Sequence, residues 1–416
     1  MSTGGRSTAD EPRSFGGLPM TSLGYPLVDA DNHFYETPDC FSRHIESKYA
    51  DKAITATQNV DGNWVVHVGD KPYNFMDVKF DRTNPPGSMH DILHDKDSSS
   101  EITWGSSYSE ENMLPAFQRR DARLALMDEQ GVECAILLPT FGVSVENSMI
   151  DDVEQTYANL RSFNRWVEEE WGFGADGRIV SPPLLSLLDR DQAVLELDRV
   201  LAAGARLVHI RPGPTGSGMS VADPWYDPFW ARIDEARVPV AFHIADNRYA
   251  DVSAAWGEDP NPPVREMSAF QWAFVHGDRP IMETFGALLY GNMFARFPNL
   301  RVLSIENGSD WVDYVLTLLD KKKGMGRFGK WAGGRPTGRP SATFREFCYV
   351  SPYPEDNVKA LIDRIGASQV LFGSDYPHPE GIAVPVRFAD LLEGCSAEDT
   401  RLVMHDNTQQ LLARRR

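Results

Sequence analysis

Several apolar runs of this 416-residue chain end in acids, imidazoles or a guanidinium: Asp31-Asn32-His33, His209-Ile210-Arg211, His243, Glu306-Asn307 and Asp375-Tyr376-Pro377-His378. Side chains alternate along a strand, so Asp31 and His33 share a face that Asn32 does not. Imidazole nitrogens and carboxylate oxygens are the donors a first-row divalent metal takes, and a set that leaves one position open serves catalysis. Asp31, His33, His243 and Asp375 are the candidate ligands. Arg211 carries the planar fork that grips a carboxylate through two parallel hydrogen bonds. A lone His or Asp at a strand end usually serves packing or a turn. Recurrence at separate strand ends is what points to a metal. His276, ahead of Gly277, lies in a long connection and could reach the same place.

Such residues need a scaffold that brings distant strand ends together. Eight apolar runs recur: 27–30, 134–138, 179–187, 205–210, 239–244, 302–305, 347–350 and 370–372. Their near-continuous apolar character is that of parallel strands buried on both faces. Between them, 116–130, 151–171, 190–203, 227–236, 281–296, 308–322, 355–364 and 383–393 read as helices. Gly131 and Gly204 stand at stop positions, and Asp227 with Pro228 forms a helix start. Strand and helix alternating about eight times predict an α/β fold, a (β/α)8 barrel of the TIM type, whose active site lies at the C-terminal strand ends. An open doubly wound sheet is the alternative, but Asp29-Ala30-Asp31-Asn32-His33 after the first run is no glycine-rich phosphate loop. Residues 1–24 read as a flexible tail or oligomerisation arm and 25–416 as the barrel. Long insertions at about 40–114 and 246–280 suit lids or subunit contacts, the first with a hairpin at 64–67 and 71–75.

Composition narrows the function. Forty-one Lys and Arg against 60 Asp and Glu give a net charge of −19, which disfavours phosphate backbones and anionic surfaces, so no nucleic-acid or membrane partner is expected. No run approaches the ~20 apolar residues of a membrane helix. The four cysteines form no CxxC pair and read as free thiols in a reducing, cytoplasmic setting. His44, His67, His90, His94 and His405 fall in the first insertion or the last helix and read as structural.

The chain resembles the amidohydrolase superfamily. Within it, it is similar to the branch of aminocarboxymuconate-semialdehyde and resorcylate-type decarboxylases. The matching pieces are Val28-Asp29-Ala30-Asp31-Asn32-His33 with Glu36 and Pro38, Gly131-Val132 with Leu138-Pro139-Thr140, Arg296-Phe297-Pro298-Asn299-Leu300, Phe372-Gly373-Ser374-Asp375-Tyr376-Pro377-His378, and Asn407. The resemblance spans about residues 25–413. It implies one divalent metal held by Asp31, His33, His243 and Asp375, zinc first, with iron or manganese as alternatives. It also departs from the family: the position of a catalytic His at the sixth strand end reads Asn307 after Glu306. Asparagine cannot act as a base, so Asp375, Glu306 or His276 is left to move the proton. Arg211, His209, Asn307 and His378 remain as substrate contacts, and Glu306 with His209 could help hold a second metal.

The implied function is a metal-dependent lyase (decarboxylase) or hydrolase acting on a small carboxylated substrate. Two alternatives stand beside it: an iron- or manganese-dependent oxygenase on the same barrel, and a metal-binding subunit paired with a catalytic paralogue. Aromatics in the insertions, among them Trp104, Tyr108, Trp256, Phe270, Trp272 and Phe274, lead to the expectation of a homo-oligomer or a hetero-oligomer with a related chain.

Overall fold

The computed structural model describes residues 21–89, 108–247 and 249–414. Most of the expected arm, together with Trp104, His90 and His94, lies outside the described residues. The first strand, β1 (Leu27–Phe34), is buried along its whole length. A three-stranded antiparallel unit follows: β2 (Ile54–Gln58), β3 (Trp64–Val68) and β4 (Lys71–Pro72). The expected hairpin is there as the antiparallel pair β3–β4, with His67↔Pro72 and Val68↔Lys71, and Tyr73 N–H donates to Val66 O (2.9 Å) beyond it. The sequence did not show β2, which pairs with the other edge of β3 from Ile54↔Val68 to Gln58↔Trp64.

The remaining strands are parallel and follow one another around a ring. They are β5 (Val132–Pro139), β6 (Ile179–Val180), β7 (Leu184–Leu185), β8 (Val208–Ile210), β9 (Val240–His243), β10 (Val302–Ile305) and β11 (Cys348–Val350). The third predicted strand is split into β6 and β7 because Ser181-Pro182-Pro183 interrupts it, and proline offers no ladder donor. β6 stays on β5 and β7 on β8, so one stretch of chain still spans that part of the wall. The eighth run closes the ring through single bonds. Leu371 N–H donates to Val350 O (2.9 Å), and Ala30 N–H to Phe372 O (2.8 Å). The fold is thus the (β/α)8 barrel.

Helices cover the outside as expected, with two corrections. Asp227 is the first residue of the helix Asp227–Ala236 rather than its cap; Asp223 caps the turn ahead of it by accepting from Trp225 N–H (2.8 Å). Residues Pro385–Leu392 form a 3-10 run. Gly131 does stop the helix Arg120–Gln130, at φ 69°, a conformation that needs no Cβ. Inside the barrel, Val28, Ala30, Ile136, Leu138, Ala241, Leu303 and Ile305 make a separate apolar core, and Leu411 and Leu412 from the helix Asn407–Ala413 join it.

The strand ends depart from simple alternation where the chemistry begins. In β1, Val28 and Ala30 face the inner core, so alternation would send Asp31 and His33 outward. Asp29 pairs with Ala135 and Asn32 with Leu137, three residues on β1 against two on β5. That extra residue is a β-bulge, which re-aims the side chains after it. Glu306 (φ 52°) and Asp375 (φ 54°) are two of four described non-glycine residues with left-handed backbone. That conformation is unfavourable for a side-chain-bearing residue and is concentrated at functional sites.

Candidate metal centre

His243 reaches the centre by plain alternation: Ala241 faces the inner core and His243 follows on the same face. Its Nδ1 lies 2.7 Å from Ile244 O. A carbonyl only accepts, so the ring proton sits on Nδ1 and the Nε2 lone pair faces inward. There Nε2 lies 2.7 Å from Glu306 Oε2 and 3.3 Å from His33 Nε2. His33 Nε2 is 3.2 Å from Asp31 Oδ1 and 3.4 Å from both Glu306 Oε2 and Asp375 Oδ1. Two overlapping groups of candidate ligand atoms result, Asp31, His33, His243 and Glu306 in one and His33, Glu306, Asp375 and His378 in the other, sharing His33 and Glu306 and almost fully buried.

Electrostatics shows what this cluster lacks. Burial works against a charge on His33, yet hydrogen bonds and fields from Asp31 and Glu306 lift its pKa to about 9. Burial would lift Glu306, but His243 and His33 hold it well below the carboxylate range. Asp375 goes the other way: burial, then the charges of Glu306, Glu380 and Asp31, push it far up. Such a set is stable only with positive charge at its middle, either protons on the rings or a metal ion. Glu306 Oε2 is buried and makes no proper hydrogen bond, although an imidazole nitrogen lies 2.7 Å away. A cation between these electron-rich atoms resolves that, so the residues fit a metal.

Supporting contacts hold the cluster rigid. Buried Asp29 accepts from Asp31 N–H (3.1 Å), Ser374 N–H (3.0 Å), Ser374 Oγ (2.5 Å) and Asn32 Nδ2 (3.1 Å), locking β1 to the 374–375 turn. Buried Arg123 donates to Asn32 Oδ1 (2.9 Å), Ala116 O (2.8 Å) and His33 O. Glu36 accepts from Phe141 N–H (2.9 Å) and Gly142 N–H (2.7 Å), fixing the loop after β5.

Above the centre opens a cavity of about 1110 Å³ lined by Asp31, Glu306, Asp375 and Glu380 at its floor. The insertions supply its walls, including Tyr73, Phe75, Trp272, Lys79 and Arg82, and Tyr353 contributes from the segment after β11. A narrower branch reaches His33, His243, His276 and His378.

The expected residues divide accordingly. Asp31, His33, His243 and Asp375 lie together. His378 stands behind Asp375, its Nδ1 2.6 Å from Asp375 Oδ1 and its Nε2 2.9 Å from Thr140 Oγ1. His276 lines the narrow branch, its Nε2 buried and without a partner, and burial pushes its pKa down to about 4. Glu306, expected as a proton carrier, sits among the ligand atoms instead.

Three substrate contacts are placed elsewhere. Asn307 Nδ2 donates to Phe242 O (2.9 Å) and Ile305 O (2.7 Å), so its amide ties strand ends and lines neither branch. Arg211 turns away with Pro212-Gly213; it donates to Pro214 O (2.8 Å) and faces Glu146 at 3.7 Å. His209 is buried 6.3 Å from the His243 ring, its Nε2 unpartnered and its pKa pushed down to about 3 by burial. It lies outside both groups of candidate ligand atoms, so the second-metal pairing with Glu306 is not formed. His44 and His405 pair with Glu169 and Asp406, each at 2.6 Å. Sequence reasoning missed Glu380 and Lys79, neither of which stands at the end of an apolar run, and gave Thr140, which directly follows β5, no role beyond its place in the family resemblance.

Comparisons with known proteins agree with this architecture. No curated protein matches the chain. An amidohydrolase from Mycobacterium avium subsp. paratuberculosis K-10, map2389c, is 36% identical; the alignment covers 94% of this chain and 99% of that one, with a TM-score of 0.84. At 16% identity, 5-carboxyvanillate decarboxylase LigW from Sphingomonas paucimobilis matches over 94% and 99% of the two chains, with a TM-score of 0.58. A dihydroxybenzoic acid decarboxylase from Polaromonas sp. JS666, solved with manganese and 2-nitroresorcinol, matches at 15% identity over 93% and 97%, TM-score 0.55. The last two likenesses speak for the fold. The family model for amidohydrolases matches residues 28–414, and the chain belongs to the amidohydrolase family.

Proposed function

We propose that this protein is a metal-dependent decarboxylase of a small carboxylated aromatic compound. The observation that carries the proposal is the pair of overlapping donor groups, Asp31, His33, His243 and Glu306 and then His33, Glu306, Asp375 and His378, at the floor of an aromatic-walled cavity. The decarboxylase activities of the similar structures support the same reading. A bound divalent ion would polarise the substrate's carboxylate or adjacent oxygen as a Lewis acid. The two groups together offer more than four donors, half of them carboxylate oxygens, which suits a harder, higher-coordinate ion than tetrahedral zinc, so manganese is put ahead of the zinc first expected.

Decarboxylation breaks the bond between a ring carbon and the carboxylate, and that carbon takes a proton as CO2 leaves. Asp375 is the group proposed to deliver it. His378 bridges it to Thr140 and so to a hydroxyl that can relay the proton. Phe75, Trp272 and Tyr353 shelter the ring from water. Lys79, at the cavity wall and paired with Asp77 at 2.9 Å, would have to exchange that partner to take over the carboxylate-attracting role expected of Arg211. The barrel from residue 25 onward would act as one catalytic unit roofed by its two insertions, in a cytoplasmic setting. Trp256, Phe270 and Phe274, whose rings follow one another at 5.4 Å with their planes tilted by 46°, would provide a subunit contact.

The test is metal analysis of protein purified without added metal, followed by CO2 release from hydroxylated and methoxylated benzoates under nitrogen. About one metal per chain and oxygen-independent CO2 release with Mn²⁺ are expected. Turnover only with iron and air would favour the oxygenase alternative, for which neither the family match nor the similar structures speak.

A further inference from the structure

The strongest charge segregation in the molecule lies away from the catalytic centre. Between residues 321 and 339 the chain carries seven cations, Lys321–Lys323, Arg327, Lys330, Arg335 and Arg339, and no acid. The chain is −19 overall, so with +7 here it is −26 elsewhere. These residues close the helix Trp311–Met325 and form the loop that leads to the helix Pro340–Phe347, before β11. The catalytic groups stand at the C-terminal end of β10, whereas this helix runs back from that end before the loop begins.

Elsewhere on the surface, most arginines are neutralised. Arg43, Arg120, Arg178, Arg199, Arg232 and Arg296 each pair with an acid at hydrogen-bonding distance. Among the described residues, none of the seven loop cations has an ion pair. Lys323 donates to backbone carbonyls of Thr337 and Gly338, and the charge of Arg335 helps depress its pKa after burial. Positive charge is crowded here, with Asp320 on the neighbouring helical turn acting on Lys323 and no ion pair formed.

Apolar side chains project from the same place. Phe328 is 87% exposed and Met325 65%. The loop anchors itself from behind: Trp331 stacks edge-on against Tyr290 at 5.6 Å, and Asn292 Nδ2 holds Gly333 O (3.2 Å). None of the four main cavities is lined by these residues. The feature is therefore a projecting apolar tip set among cations.

We propose that this loop docks the protein on an anionic lipid bilayer surface, Phe328 and Met325 entering the interface while the surrounding cations meet lipid phosphates and carboxylates. The two components are those of interfacial anchors: apolar burial plus the attraction of each nearby Lys or Arg to the anionic surface. A phosphate backbone would satisfy the cations but leave Met325 in water. The acidic body does not prevent docking, because charges beyond the ~8–10 Å Debye length are screened. The overall charge that speaks against anionic surfaces averages away a patch that acts locally. No described helix is long and apolar enough to cross a membrane, so contact would be peripheral and would leave the cavity facing water.

The test is co-sedimentation of the full chain with vesicles of phosphatidylcholine alone and of three parts phosphatidylcholine to one part phosphatidylserine. Binding to the mixed vesicles, at least tenfold over neutral ones and lost at ~0.5 M salt, is expected. The triple variant Lys321→Glu/Arg327→Glu/Lys330→Glu should lose binding by about a hundredfold or more. Phe328→Ser should weaken it about fivefold to tenfold with charge unchanged. All four residues are exposed, so thermal melting should be unchanged in both variants. Equal sedimentation with both vesicle types overturns the proposal. So does tighter binding to a single-stranded oligonucleotide than to the mixed vesicles, or salt-sensitive self-association without vesicle binding.

Discussion

Two buried polar clusters lie on either side of His243, and they are built on opposite principles. On one side, Asp31, His33, Glu306 and Asp375 crowd like charges around the floor of an open cavity, short of positive charge. On the other, Arg211 faces Glu146 at 3.7 Å, Asn147 Nδ2 holds Asp246 Oδ2 at 2.9 Å, and Ser186 Oγ holds Glu146 Oε1 at 2.8 Å. That second cluster brings its own cation and lines neither branch of the cavity. Buried charge compensated from within is architecture; buried charge left uncompensated at a cavity floor is a binding site.

The largest effect should come from the uncompensated side. His33→Ala or His243→Ala each removes an inward-facing nitrogen, so metal content should fall by at least about tenfold and turnover by about a thousandfold. Elemental analysis beside a CO2 assay measures both, and full occupancy in both variants would sink the metal assignment. Next comes the sealed side. Arg211→Met strands Glu146 and Asp246, at a cost of about 3–5 kcal/mol in unfolding free energy, with metal content unchanged. If metal is lost while denaturant stability holds, the two clusters are not separate.

Glu306→Gln should lower metal affinity about 10- to 100-fold without destabilising the fold, and chelator competition reads this directly. The smallest effect concerns pH. Burial raises Asp246 to about 6, against roughly 4 in an unfolded chain. Its contribution to stability is therefore fully present below pH ~4 and lost as pH rises through ~6. Asp246→Asn should flatten that slope, a change on the order of 1–2 kcal/mol in denaturant titrations across the window. An unaltered slope would mean another group carries it.

The comparison also explains how far the sequence could be read. Eight apolar runs and their helices were legible because a barrel strand buried on both faces has a recognisable composition. His243 was legible because it obeys alternation. Asp31 and His33 were rightly placed on a common face, yet which face depends on the bulge at residues 29–32, and nothing local announces it. Glu306 was read as a proton carrier or a second-metal ligand beside His209, and its place among the His33 and His243 nitrogens depends on a left-handed φ that sequence associates with glycine. Arg211 misled for the converse reason. It stands where a substrate-binding arginine would stand, but Pro212 and Gly213 turn the chain so that its guanidinium meets Glu146. Lys79 belongs to an insertion whose fold no strand pattern predicts.

The bonds that close the barrel join segments far apart in the chain. Asp375 is held to β1 by Asp375 N–H to Asp31 O (2.8 Å) and His33 N–H to Tyr376 O (2.8 Å). The Leu411 and Leu412 side chains that complete the inner core come later still in the chain. Closing the barrel and completing the donor set are thus one event, resting on contacts such as Ser374 N–H to Asp29 Oδ1 between residues 345 apart in the chain. Contacts of that separation carry a large loop-closure cost before they reward it, so the slow step of folding and the formation of the candidate metal centre coincide.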